Sequence, residues 1–266
     1  MVMKKILLAF AVSVFAFSLS FAQDDGLTQD IQEPRGLASI WKSAEEAYAT
    51  GDFAGAARHY ESLVSSGASS PSLFYNLGNA YYRGGNIGKS VLNYERALKL
   101  DPSDADARHN LELARAHTLD KIDNVPEFIF FSWIKNLKAS LSSNTWAVIS
   151  LVLLAAGVAI LLLFRFSRRS SSRRIFFIIA MICFLTAFFC WMFSFSLARQ
   201  ANSTDTAIVV ENIGSVKSSP SAGGNSIFVL HEGTKVKILE KVQDWCRVEI
   251  SDGRQGWIKA SDIEVI

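Results

Sequence analysis

The chain has 266 residues and a formal net charge of +2; half of its residues are hydrophobic and a fifth are charged. That balance excludes a wholly disordered chain, and the small charge, with no Lys/Arg stripe interleaved with aromatics, excludes nucleic acid as the expected partner. The 3 cysteines form neither a disulfide framework nor a CxxC site, and the 4 histidines lack HxxxH or HExxH spacing, so neither a metal nor a cofactor is expected. Apolar residues come in blocks, which points to a membrane protein with modest extramembrane domains.

Residues 1–22 read as a secretory signal peptide. Lys4 and Lys5 precede the run Ile6 to Leu19, which holds only apolar residues and two serines, and Ser20 and Ala22 are the small residues before cleavage at Gln23. An uncleaved signal anchor is the alternative; both carry the following residues out of the cytoplasm. Residues 23–36 are then a linker.

Residues 37–125 carry a repeat. In 71–104, Leu77 and Gly78 stand at positions 7 and 8, Tyr81 at 11, Ser90 at 20, Tyr94 at 24, Ala97 at 27 and Pro102 at 32. The period is 34, and the unit resembles a tetratricopeptide repeat (TPR), a helix hairpin that stacks on its neighbours. Residues 37–70 fit more loosely, with Ser43 at position 7 and Ala68 where proline is usual, and 105–123 read as a capping helix. The resemblance implies a groove lined by Trp41, Lys42, Glu45 and Tyr48, by Ser72, Tyr75, Asn76, Asn79, Tyr82 and Arg83, and by His109, Asn110 and His117. It implies that Asn76, Asn79 and Asn110 hydrogen-bond a peptide backbone and that Lys42 and Arg83 hold a carboxylate. The alternative is a solvated scaffold face.

Residues 126–141 crowd Phe128, Phe130, Phe131, Trp133 and Ile134 beside Lys135 and Lys138. They read as an interfacial segment, or else as a docking surface for another membrane protein. Two apolar stretches follow, expected as transmembrane helices at 142–164 and 175–198. Between them, 165–174 holds Arg165, Arg168, Arg169, Arg173 and Arg174 and no acid, the mark of a cytoplasmic loop. Residues 23–140 are net −4 and residues 200–266 net −2, so the basic charge is concentrated in the loop. This hairpin puts both soluble parts on the non-cytoplasmic side.

After a linker at 199–205, residues 206–266 switch to short β-prone runs: 207–210, 226–230, 235–239, 246–250 and 256–259. Ser219-Pro220, Gly233-Thr234-Lys235-Val236, Asp244-Trp245-Cys246-Arg247-Val248 and Asp252-Gly253-Arg254-Gln255-Gly256-Trp257-Ile258 resemble the bacterial SH3-type domain. This implies a small all-β barrel that binds peptidoglycan or peptides, with Trp245 and Trp257 as stacking surfaces or as covers of its core. Strand alternation places Cys246 with Val248 and Ile250 on the core side. His231 lies 15 residues from Cys246, but no third residue orients such a nucleophilic pair.

The fold class expected is thus a multidomain membrane protein: a helical TPR solenoid, a two-helix hairpin and a small β barrel. The order of parts resembles the BatE-type family, the TPR proteins of the Bacteroides aerotolerance (Bat) operon. That resemblance implies a bacterial inner-membrane protein acting beside Bat proteins with von Willebrand A domains and a MoxR-type ATPase. No GxxxxGK[ST], GxSxG or paired-carboxylate constellation is present, so the expectation is a non-enzymatic adaptor, with a peptidoglycan-binding accessory as the alternative.

Overall fold

Two helix hairpins and a fifth helix open the described structure, a computed structural model that covers residues 35–120 and 129–266. The signal peptide at 1–22, most of the linker and residues 121–128, which include Phe128, lie outside the described residues. The helices are α1 (Arg35–Ala49), α2 (Phe53–Ser65), α3 (Pro71–Arg83), α4 (Ile87–Leu100) and α5 (Ala105–Ala116).

Their boundaries repeat the 34-residue period in chemistry. Gly51 and Gly85 end the first helix of each pair at φ +85° and +81°, a conformation that glycine adopts without a Cβ clash. Asp52 and Asn86 follow, and their side chains accept from the Gly55 and Lys89 amides, capping α2 and α4. Ser70 caps α3 with Pro71 in the first turn, and Asp104 caps α5. Close packing needs Gly78: a Cβ there would lie 2.7 Å from the Tyr94 ring. Ser90, at the small position, is fully buried.

Helix α6 (Ile129–Ala139) leads into two long helices, α7 (Ser143–Phe166) and α8 (Ser170–Ala201). Both are long and apolar enough to cross a membrane. They pack through small and hydroxyl residues. Gly157 sits under the Phe184 ring, where a Cβ would come within 3.0 Å. Ser150 donates to the Ala187 carbonyl at 2.9 Å, and Ser143 and Ser194 each donate to the other's carbonyl, at 3.0 and 2.9 Å. The helices are longer than the apolar stretches and the turn between them is shorter than 165–174: only residues 167–169 are non-helical. Arg165 lies in the last turn of α7, Arg168 and Arg169 in the connecting turn, and Arg173 and Arg174 ride the first turns of α8, all five exposed. Arg173 lies over the Phe164 ring at 4.9 Å.

The C-terminal part is one antiparallel sheet of seven strands in the order β3-β2-β6-β5-β4-β1-β7. They are β1 (Thr206–Val209), β2 (Ile213–Lys217), β3 (Ser226–His231), β4 (Lys235–Val242), β5 (Trp245–Glu249), β6 (Gln255–Lys259) and β7 (Ile263–Val265). Every strand contributes to one buried cluster that includes Ala207, Val209, Val216, Leu230, Val236, Val248, Ile258 and Ile263, so the sheet wraps its own core. Cys246 belongs to this cluster, and burial pushes its thiol above the ordinary value. Strands β2 and β7 add to the five runs legible in the sequence. In β2 the apolar pattern is broken by Gly214, where a Cβ would lie 2.9 Å from Ile258.

The β domain is docked on the helical repeats. In β1, Ala207 and Val209 face the β core, while Ile208, also fully buried, joins Val91, Leu92, Tyr94, Leu111 and Ala114 of the helices and Ile266. Polar contacts surround this apolar centre. Buried Glu95 of α4 pairs with Arg115 of α5 and, at 2.7 Å, with Lys235 of β4. Arg96 holds Glu264 at 3.0 Å and the Val265 carbonyl at 2.6 Å. Gly88 leaves room for Glu232, whose carboxylate accepts from the Gly88 amide at 2.9 Å.

Asp120 closes the other edge. Its Oδ2 accepts from the His231 amide at 2.7 Å and the Thr234 hydroxyl at 2.8 Å, and its Oδ1 meets His231 Nδ1 at 2.8 Å. Burial pushes this carboxyl up, but the hydrogen bonds from His231 and Thr234 outweigh it and hold the group below its ordinary value. A depressed carboxyl contributes stability above its unfolded value and loses it as pH falls through the folded one. Asp120→Asn is therefore expected to cost about 1–3 kcal/mol at neutral pH. In thermal unfolding its deficit against wild type should persist down to about pH 4 and shrink below it; a deficit that grows in acid would contradict this.

Candidate functional site

The helices leave a concavity of about 190 Å³ lined by Tyr48, Asn79, Tyr82, Arg83, Tyr94, Asn110 and Leu113. It opens where α1, α3 and α5 meet, because these alternate helices share one face of the stack. A hydrogen-bond network forms its wall. Asn79 Oδ1 accepts from the Tyr94 hydroxyl at 2.6 Å and from Asn110 Nδ2 at 3.0 Å; Asn110 Nδ2 also reaches the Tyr75 hydroxyl at 3.3 Å. Burial pushes the Tyr94 phenol above its ordinary value, so it stays protonated and donating.

Five of the groove residues expected from the sequence, Tyr48, Asn79, Tyr82, Arg83 and Asn110, thus line one concavity. Asn79 spends its carbonyl oxygen inside the protein, as does Asn110 its amide nitrogen, which differs from a role in which both amides are wholly free for a peptide. The Asn79 amide nitrogen and the Asn110 carbonyl oxygen take no partner among the described residues and remain for a ligand. Tyr82 packs against His117 with ring centres 5.9 Å apart, and Arg83 lies over the Phe53 ring at 5.0 Å with its side chain exposed. Tyr75 packs against Tyr94 at 6.2 Å, behind the lining. Asn76 is half-buried and Lys42 is exposed; neither lines the concavity, and Lys42 pairs with Glu46 at 3.8 Å.

Tyr94 and Leu113 complete the lining without having been read as groove residues. Tyr94 looks like a packing position in the repeat, and its ring indeed abuts Gly78, while its hydroxyl joins the hydrogen-bonded wall of the concavity. Leu113, 43% exposed, follows Asn110 by three residues and so shares its helix face.

A second surface lies on the outer face of the β sheet. Arg247 and Lys217 both register with Trp257, and Lys259 registers with Trp245. Directly paired residues share a face, so two half-buried tryptophans stand among three cations. Lys217 Nζ lies 5.4 Å from the Trp245 ring centre, and Arg247 donates to Gln255 at 2.8 Å. This pairing puts the indoles opposite Cys246, so they flank a charged face rather than the apolar centre. None of the residues in either surface makes the polar contacts that dock the β domain.

Family models agree with this division. Residues 78–115 match the TPR repeat and residues 214–264 match the bacterial SH3 domain. No curated protein matches the chain.

The network predicts that Tyr94→Phe lowers the stability of the helical part by about 0.5–1.5 kcal/mol, read as a lower denaturation midpoint by circular dichroism. An unchanged midpoint would show that the hydroxyl holds nothing in place.

Proposed function

We propose that this chain is a non-enzymatic adaptor anchored in a bacterial inner membrane, with the TPR and SH3-type domains on the periplasmic side. It binds envelope proteins through the TPR concavity. The observation that carries this is the concavity itself: an aromatic and amide-lined recess with an exposed guanidinium at its rim. Amides beside aromatic rings suit an extended peptide, since they satisfy its backbone while the rings take its side chains, and Arg83 suits an acidic group on it.

The anchoring rests on helices α7 and α8 and on the five arginines at their turn, which the positive-inside rule assigns to the cytoplasm. Helix α6 supports it. Ile129, Phe130, Phe131 and Trp133 are at least half exposed, directly before the hairpin, as suits the headgroup region. The signal peptide at 1–22 fits the same orientation. A Bat-type complex with von Willebrand A-domain proteins is the partner setting that the order of domains suggests.

A second reading has its own observation. The cation-flanked pair Trp245 and Trp257 suits a glycan carrying carboxylates, so the SH3-type domain would hold peptidoglycan while the TPR domain serves a protein.

Crosslinked affinity purification from native membranes separates the two. Arg83→Gln is expected to lose co-purifying membrane proteins while the helical part stays folded by circular dichroism, and Trp245→Ala with Trp257→Ala to leave them. Partners retained by Arg83→Gln, together with cell-wall fragments lost by the tryptophan variant, would reject the groove in favour of the second reading.

A further inference from the structure

A cavity of about 450 Å³ lies where α8 leaves its apolar stretch and meets α4 and the β domain. Its lining includes Lys99, Ser196, Arg199, Gln200, Asp205 and Lys235. Arg199 is the first charge after the 24 uncharged residues from Ile175 to Ala198. In the membrane reading this places it at the level of lipid headgroups.

The charges here are unbalanced. Glu95 is already matched by Arg115 and Lys235. Lys99 spends its ammonium on the Ser203 carbonyl and on a main-chain oxygen of Ile266. Lys138 of α6 reaches two lining residues, Ser196 Oγ at 3.1 Å and Gln200 Oε1 at 3.4 Å, both neutral. Arg199 is exposed and has no partner among the described residues. Asp205, itself exposed, is the one further acidic side chain in the lining. Burial pushes both Lys99 and Lys138 below their ordinary values, and Lys135 adds to this for Lys138. Arg199 and Lys138, neither of them paired with a carboxylate among the described residues, are stabilised by an anion.

We infer that this cavity binds a phosphate group, with Arg199 and Lys138 as its principal donors and Ser196 beside them. The placement favours the headgroup of an anionic phospholipid over a free phosphate. A headgroup there would lie between helices α4, α6 and α8 and the base of the β domain, so it would fix the soluble body at the membrane surface. The inference rests on the membrane reading and is independent of the TPR groove.

The test uses the full chain in detergent. Alkaline-carbonate extraction of native membranes comes first; release into the soluble fraction would reject the membrane reading, and the lipid source with it. Native mass spectrometry then compares retention of phosphatidylglycerol and phosphatidylcholine supplied in equal amounts. Calorimetry with inorganic phosphate on delipidated protein tests the free anion. Wild type is expected to prefer phosphatidylglycerol by about tenfold, and Arg199→Gln with Lys138→Gln to lose that preference at an unchanged melting temperature. Phosphate binding that the variant abolishes, without a lipid preference, would keep the site and assign it to the free anion. Equal retention of both lipids with no phosphate binding, or a preference that the variant leaves intact, would overturn the site.

Discussion

Helix α4 is the element on which the rest depends. A surface helix buries one stripe, but here Gly88, Ser90, Val91, Leu92, Asn93, Tyr94, Glu95 and Ala97 are all buried. One side packs into the helical stack, where Tyr94 meets Gly78. The other receives the β domain through Ile208, Glu232 and Lys235. Burying Ile208 alone stabilises the docked state by about 1.5–3 kcal/mol, offset by the cost of ordering its neighbours. The ion pairs around it add direction more than energy. Glu95 is the exception: its carboxylate is buried between two cations, and loss of either leaves a poorly compensated charge.

Docking on α4 decides how the two candidate surfaces are presented. The concavity lies where α1, α3 and α5 meet, so the β domain occupies a different part of the stack. The tryptophan face lies on the outer side of the β sheet, away from its wrapped core. A ligand on one surface therefore need not displace the docked partner domain. The same body also frames the cavity beside Arg199.

Much of this was legible in the residues. The period of 34 placed four helices and the cap, because Gly51 and Gly85, with Asp52 and Asn86 behind them, are local signals that need no tertiary context. The Gly-Thr-x-Val and Gly-Trp-Ile stretches marked β strands for the same reason. Strand β2 was missed because Gly214 breaks its pattern for a tertiary reason, the approach of Ile258. The docking was also missed, although the run Ala207-Ile208-Val209-Val210 carried a trace of it. An alternating strand has one dry face; an unbroken apolar one has two. Asn79 shows the same limit at the site, since only the fold reveals that Tyr94 and Asn110 have taken its oxygen.

The central claim is that the helical repeats and the β domain form one body. Pulsed electron–electron resonance on the full chain in nanodiscs tests it most directly, with encoded spin labels at exposed His59 of α2 and exposed Lys241 of β4. The account predicts a single narrow distance distribution, which broadens when Ile208→Asp places a charge in the docking centre. A broad distribution in the wild type would show two domains joined only by their chain, and the account would fail.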